Sequence, residues 1–600
     1  MSHILPTRPE VRGHLGAVAS THWLASQAGM AMLERGGNAF DAACAAGFVL
    51  QVAEPHLNGP GGDVPIIRYR AGVGEAAVIC GQGPAPAAAR IAVFRDLGLD
   101  LIPGTGLMSA VVPGAFDAWM KLLLEDGRLE LRAVLEPAIG YALRGIPVAP
   151  RLATTLQALE RVFRRDWPTS ADLYLARGLP SPGELMRNER LAATWQRLLR
   201  EAEAAGDTRD QRIAAARRIW SQGFIAESID EFCRSTRVRD ISGGVHGGLL
   251  RGHDLSSWQA TSEPALSLDI GDYRILKCGP WSQGPVLLQC LAMLRHDSPG
   301  ELVADDVELI HRLTEVAKLA FADRETFYGD PDFVDVPLAE LLSEAYASSR
   351  REQVAEQASS AFRPGEIPGY GHPPDFEAAC GRRRQAGILG SYGAGEPTMS
   401  EDYSDFSTGD TCYVCATDGE GNMVSATPSG GWMQSSPVIP ALGFCLGTRA
   451  QSFWLDPASP NALEPGKRPR TTLTPTMVLR GGAAYLACGT PGGDQQEQWQ
   501  LQFLLRHLFG GMGMQAAIDA PAFHAEQWPS SFYPRQATAQ RLIMEPRFGN
   551  RTLEELRRRD HEAEFGADWS EGRLAACCHV QGEVAAAASP RGGQAYAVGR

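Results

Sequence analysis

From Phe362 to Asp410 the chain reads "FRPGEIPGYGHPPDFEAACGRRRQAGILGSYGAGEPTMSEDYSDFSTGD", rich in Gly, Pro and Ser and without a sustained hydrophobic period. A loop of this length inside a compact protein is either functional or disordered, so the fold must be built from what lies on each side. A strand pattern then begins abruptly at Thr411. "TCYVCAT" and "NMVSAT" flank "DGEGN", a hairpin signal. "AAYLACGT" reads as a third strand, and "PGGDQQEQWQLQFLLRHLF" as a Gly-Gly turn opening a helix. Upstream, "HWLASQAGMAMLERGGN", "AFDAACAAGFVLQVAEP" and "DDVELIHRLTEVAKLAFADRETFYGD" carry helical spacing, the last with an acidic first turn suited to the helix dipole. Sheets and helices together predict a layered α+β architecture. The predicted division is 1–410, ending in a flexible linker at about 362–410, and 411–600.

At 600 residues the chain can bury a large core. A net charge of −14 excludes a broad nucleic-acid footprint, which needs a basic face. The N-terminus lacks a secretory apolar core, and no apolar run approaches the ~20 residues that span a bilayer. The 12 cysteines are scattered rather than densely spaced as in a disulfide scaffold. The expectation is a reduced, cytoplasmic protein with no membrane contact.

An abrupt start on threonine has a chemical reading. A threonine hydroxyl needs a base beside it, and one solution is the α-amino group of the same residue, which requires Thr to be the first residue of a chain. That amine has a pKa near ~8, suited to proton transfer near neutral pH. Thr411 would become terminal if the bond from Asp410 were cut. A Gly-Asp-Thr triplet is also an ordinary turn. Downstream, "GTPGGDQQ" places Gly492 and Gly493 before a helix, where backbone N–H groups can hold an oxyanion. A tight strand-to-helix connection would use the same glycines.

Eight stretches in order resemble the γ-glutamyltranspeptidase family of N-terminal-nucleophile hydrolases: "GGNAFDAACAAGFVLQVAEPHLNGPGGD" (36–63), "VPGAFDAW" (112–119), "EPAIGYALRGIPV" (136–148), "GFIAESI" (223–229), "HRLTEVAKLAFADRETFYGDPDF" (311–333), "GDTCYVCATDGEGNMVSAT" (409–427), "PGKRPRTTLTPTMVL" (465–479) and "GTPGGD" (489–494). The resemblance implies a four-layer αββα sandwich and a precursor that cuts itself between Asp410 and Thr411. The two pieces would stay together as a heterodimer, with a higher oligomer left open. It makes Thr411 the nucleophile, Thr427 the second threonine that hydrogen-bonds it, and Gly492 and Gly493 the oxyanion hole. Thr471, Thr472 and Ser429 fall on the substrate side. No cofactor or metal is implied. The donor would be a small amide and the acceptor water or an amine.

The head-group shell departs from the family pattern. Gln82 stands where the family has an arginine for the substrate carboxylate, and Gln cannot make that charged bidentate grip. Gly431 replaces an asparagine. Ser452 replaces the acid that receives the ammonium, and Arg449 stands in place of its acceptor companion. Such polar contacts set discrimination, so the donor is open: a γ-glutamyl compound, or an oxamate-like or cephalosporin-like amide without the ammonium. Arg449 either reads an acid on that donor or pairs with a structural acid. A catalytically silent, unprocessed relative that binds a small acid is the alternative of a different class. The short "WLDPASPNALEPG" predicts an open cleft.

Other signals are discounted. In "CYVC", Cys412 and Cys415 are three apart on a strand and face opposite sides. Cys577-Cys578-His579 lacks a second ligand cluster. "NRT" at Asn550 means nothing without secretion. "GRRRQ" (381–385) reads as a solvated loop, and His56 fits a structural as well as a catalytic role.

Overall fold

The computed structural model describes residues 6–295, 297–386 and 411–600. Asp410 and the second half of the proposed linker lie outside the described residues.

Two seven-stranded antiparallel sheets form the centre. One runs Tyr596–Gly599, Gly16–Ser20, Val414–Asp418, Met423–Ala426, Val64–Arg70, Glu75–Gly81, Thr261–Pro264. The other runs Val11–Gly13, Glu583–Ala588, Ala575–Val580, Ala483–Gly489, Thr476–Arg480, Tyr273–Lys277, Leu266–Ile270. The period of two decides what each strand does. Ala17, Ala19, Ile67, Cys415 and Met423 point inward against Met477, Ala487, Cys577 and Ala586 of the facing sheet. Many of these are Ala or Cys, small enough to let the sheets approach.

The alternate residues point outward. Val18, Ile66, Val414, Ala416 and Val424 meet the helices Trp23–Glu34, Ala39–Ala53 and Ala115–Asp126. On the far side Ile275, Val478, Leu486 and Ala585 meet Gly284–Leu294, Asp306–Phe327 and Gln496–Leu504. The order is helix, sheet, sheet, helix, the expected αββα sandwich. Asn38 opens Ala39–Ala53 with a reciprocal capping box to Asp41, which explains why the helix starts there.

Two local expectations need correction. Regular strand begins at Val414, not Thr411, although Cys412 N–H donates to Pro428 O (2.9 Å) and Thr21 N–H to Tyr413 O (3.1 Å), so the ladder is already tied. And the region read as loop contains the helix Phe376–Ala386. The "GRRRQ" run sits on it, and the Arg382 guanidinium packs 5.8 Å from the Trp454 ring centre instead of standing in solvent. The discounted Cys412–Cys415 pair does split between faces, Cys412 toward the helices and Cys415 between the sheets. Among the described residues no group of three His, Cys, Asp or Glu could hold a metal ion, and no helix is long and apolar enough to cross a membrane.

Candidate active site

The "DGEGN" turn fixes the site. Asp418 accepts from the N–H groups of Glu420 (3.0 Å) and Asn422 (3.1 Å), closing a hairpin in which Val414 pairs with Ala426 and Cys415 with Ser425. Continued outward, that register sets Thr411 opposite Ser429. The structure agrees: Thr411 Oγ1 donates to Ser429 Oγ at 3.2 Å, with Thr411 3% exposed and Ser429 fully buried. Thr427, the partner expected from the resemblance, is also buried, but its Oγ1 has no hydrogen-bond partner. Residues 427 and 429 have the same parity on a strand, so face alone could not separate them. The register counted from the turn could have.

Tyr413 carries the geometry to the second sheet. Its hydroxyl shares a hydrogen bond with Ser425 Oγ (2.7 Å), and its buried ring lies against Gly489, where an added Cβ would meet it at 2.3 Å. Gly489 ends its strand there, and the Thr490–Gly493 loop leaves beside Tyr413. Gly492 and Gly493 hold φ of +131° and +53°, a region that side chains rarely enter. Pro491 O accepts from Thr490 Oγ1 (2.8 Å) and Gly492 O from Gln495 N–H (2.9 Å). In a trans peptide the N–H points opposite its carbonyl, so the N–H groups of Gly492 and Gly493 turn away from these partners.

Gln283, missed in the sequence, ties three segments. Its Nε2 donates to Gly493 O (2.9 Å), its N–H to Thr471 O (3.0 Å), and its Oε1 accepts from Arg324 (2.8 Å). Arg324 in turn pairs with Asp494, which also accepts from Ser531 N–H (2.8 Å) and Oγ (2.6 Å). Burial would push the Asp494 carboxyl up, but the Arg324 guanidinium and the Ser531 bonds hold it below its ordinary range. Thr472 is buried beside Thr471, its Oγ1 without a hydrogen-bond partner.

A second missed residue is Asp63. It exchanges backbone hydrogen bonds with Ser429 (2.9 and 3.0 Å), and its carboxylate accepts from Arg449 Nε (3.1 and 3.2 Å), while the Thr471 side chain beside it also favours the ionised form. Arg449 therefore pairs with an acid of the protein. It also lies 5.0 Å from the Trp432 ring centre and 5.8 Å from that of Phe532. Burial pushes the Asp63 carboxyl up, opposed by the Arg449 charge and these bonds. Of the two readings given for Arg449, pairing with a structural acid is the one seen here, and that acid comes from a distant segment of the chain. Ser452 Oγ and Gln82 Oε1 are buried and bonded to nothing; Gln82 Nε2 donates to Gly83 O (3.0 Å). Thr411, Ser429, Asp63 and Arg449 thus form one bonded cluster, with Thr471 beside Asp63 and tied through its carbonyl to Gln283, which reaches Gly493; among the described residues no bond joins Thr427, Gln82 or Ser452 to it. His56 is buried, its basicity lowered by burial and by Arg151 and Arg573.

The sequence profile of the γ-glutamyltranspeptidase family matches residues 25–599. The glutathione hydrolase-like YwrD proenzyme of Bacillus subtilis (strain 168) is 30% identical over 583 residues, 96% of this chain and 97% of that protein. The solved structure of LmbA2991HD is 48% identical with a TM-score of 0.91 over the whole of both chains. The cephalosporin acylase from Bacillus halodurans is 28% identical with a TM-score of 0.81, covering 100% of this chain and 98% of the acylase.

Proposed function

The chain belongs to the γ-glutamyltranspeptidase family of autoprocessing N-terminal-threonine hydrolases, and from that premise we propose that Thr411 is its nucleophile and that its donor is an amide without the α-amino-acid head group. The observation that carries the first part is the Thr411 Oγ1–Ser429 Oγ hydrogen bond at the head of the hairpin. In the precursor, Thr411 Oγ1 attacks the Asp410 carbonyl, the Thr411 nitrogen leaves as an amine, and water hydrolyses the ester. That amine then takes the hydroxyl proton as Oγ1 attacks a donor carbonyl. Gly492 and Gly493 N–H hold the oxyanion. The donor's nitrogen departs with the proton, leaving an acyl ester on Thr411, and water or an amine releases the acyl group.

The second part rests on Gln82, Ser452 and the paired Arg449. None supplies the free ionic contacts an amino-acid head group needs. The fit is an acyl chain without an ammonium, as in N-acyl or dicarboxylic mono-amide compounds. The scattered cysteines support a reduced, cytoplasmic setting. Comparing γ-glutamyl-p-nitroanilide with glutaryl- and butyryl-p-nitroanilide tests the donor. We expect one of the latter two to be the better substrate. Efficient turnover of the γ-glutamyl compound alone would sink this reading.

A further inference from the structure

The Asp63–Arg449 pair lies against the nucleophile's hydrogen-bond partner, and it is shut from water, with side chains 2% and 1% exposed. Three features fix Asp63. Its backbone is laddered to Ser429. Its carboxylate is held by Arg449, with Thr471 beside it. And Gly430 passes so close that an added Cβ there would stand 2.6 Å from Asp63 Oδ1. A guanidinium normally draws carboxylates with a bidentate grip. Here its charge is already balanced by an acid the backbone will not release. A donor carboxylate reaching this point would meet Arg449 and the like charge of Asp63 together, with little bulk solvent to screen either.

We propose that Asp63 is a specificity-determining residue: by balancing Arg449 it leaves the ground beside Ser429 electrically neutral and turns away donors that carry a carboxylate there. The inference rests on Thr411 being the nucleophile and refines the donor class to an uncharged acyl chain. Discrimination of this kind works by a repulsive element as much as by an attractive one. The repulsive element is Asp63.

The test uses the processed enzyme with glutaryl-p-nitroanilide and its uncharged isostere 4-carbamoylbutanoyl-p-nitroanilide. The wild type should prefer the uncharged donor. Asp63→Asn keeps the shape and removes the balancing charge. It should move the kcat/KM ratio toward the carboxylate by about 10-fold or more, mainly through KM. Arg449→Gln leaves the acid alone and should move the ratio the opposite way. A ratio unmoved in both variants, or moved in the same direction, overturns the proposal and leaves the pair a structural brace. If Asp63→Asn fails to fold by circular dichroism, Arg449→Gln decides alone. If the wild type turns over neither anilide, the donor reading above has failed. Calorimetric binding of glutarate against glutaramide then decides this inference, with the same opposed shifts expected and their absence fatal.

Discussion

Thr411 and Ser429 face each other because a turn seven residues downstream sets their register. A hydroxyl held at 3.2 Å has a fixed direction of attack, and small displacements of a reacting group can cost about 10²-fold in rate. Ser429→Ala should therefore lower kcat by between about 10-fold and 10²-fold, with Ser429→Thr restoring most of it. Thr427→Ala should cost far less, because its Oγ1 bonds nothing. Steady-state kinetics on the processed variants check both; equal losses would return Thr427 to the role the resemblance gave it. The proposed nucleophile was legible only through the family resemblance, since a Gly-Asp-Thr triplet is also an ordinary turn and regular strand starts at Val414. Its partner was not, because the resemblance ran through residue 427 and the parity argument cannot see a shift of two. Asp63 and Gln283 were illegible for another reason. Their partners lie from 41 to more than 380 residues away, and only the assembled fold brings them in.

In the proposed reaction the Thr490–Gly493 loop acts through its backbone, so its weak points are its glycines. A Cβ on Gly492 would stand 2.1 Å from the Trp499 ring and would force a side chain to φ of +131°. Gly492→Ala should lower stability by about 2 kcal/mol from the backbone alone, more if Trp499 cannot shift, and should depress kcat. Thermal unfolding and kinetics measure the two effects; a variant with wild-type melting would mean the ring moves freely. The Gly-Gly turn, the hairpin and the three long helices were all visible as elements, because each carries its own period or turn chemistry. The helix Phe376–Ala386 was not. It follows Pro-Pro and is short, with Gly381 and three arginines in its middle, so no apolar stripe marks it.

The two expected pieces, 1–410 and 411–600, share both sheets. Gly16–Ser20 lies between Tyr596–Gly599 and Val414–Asp418, and Met423–Ala426 pairs with Val64–Arg70. A cut before Thr411 would leave these ladders intact. One other contact across the pieces is acid-sensitive. His311, on the helix Asp306–Phe327, gives its Nε2 proton to Ala355 O (2.8 Å), so its Nδ1 accepts from His561 Nε2 (2.9 Å). That leaves His561 Nδ1 buried with no partner. Burial, with Lys318 and His311 adding to it, lowers His561 to about 2. A histidine depressed in the folded state contributes stability above its unfolded value near 6.5 and loses it as pH falls below that value toward 2. The loss is about 1.4 kcal/mol per pH unit. His561→Gln should therefore melt less steeply between pH 7 and pH 5 than the wild type, by differential scanning calorimetry. An unchanged slope would place the acid sensitivity elsewhere.

The proposed mechanism depends on Thr411 making its own amino terminus. The direct measurement is intact mass under denaturing conditions, on purified wild type and Thr411→Ala. The wild type should give two masses that meet at Asp410/Thr411 and together account for the 64.6 kDa chain plus one water, and Thr411→Ala should stay whole. A wild-type chain that remains uncut on incubation, or a mutant cut at the same bond, would remove Thr411 from the centre of the mechanism.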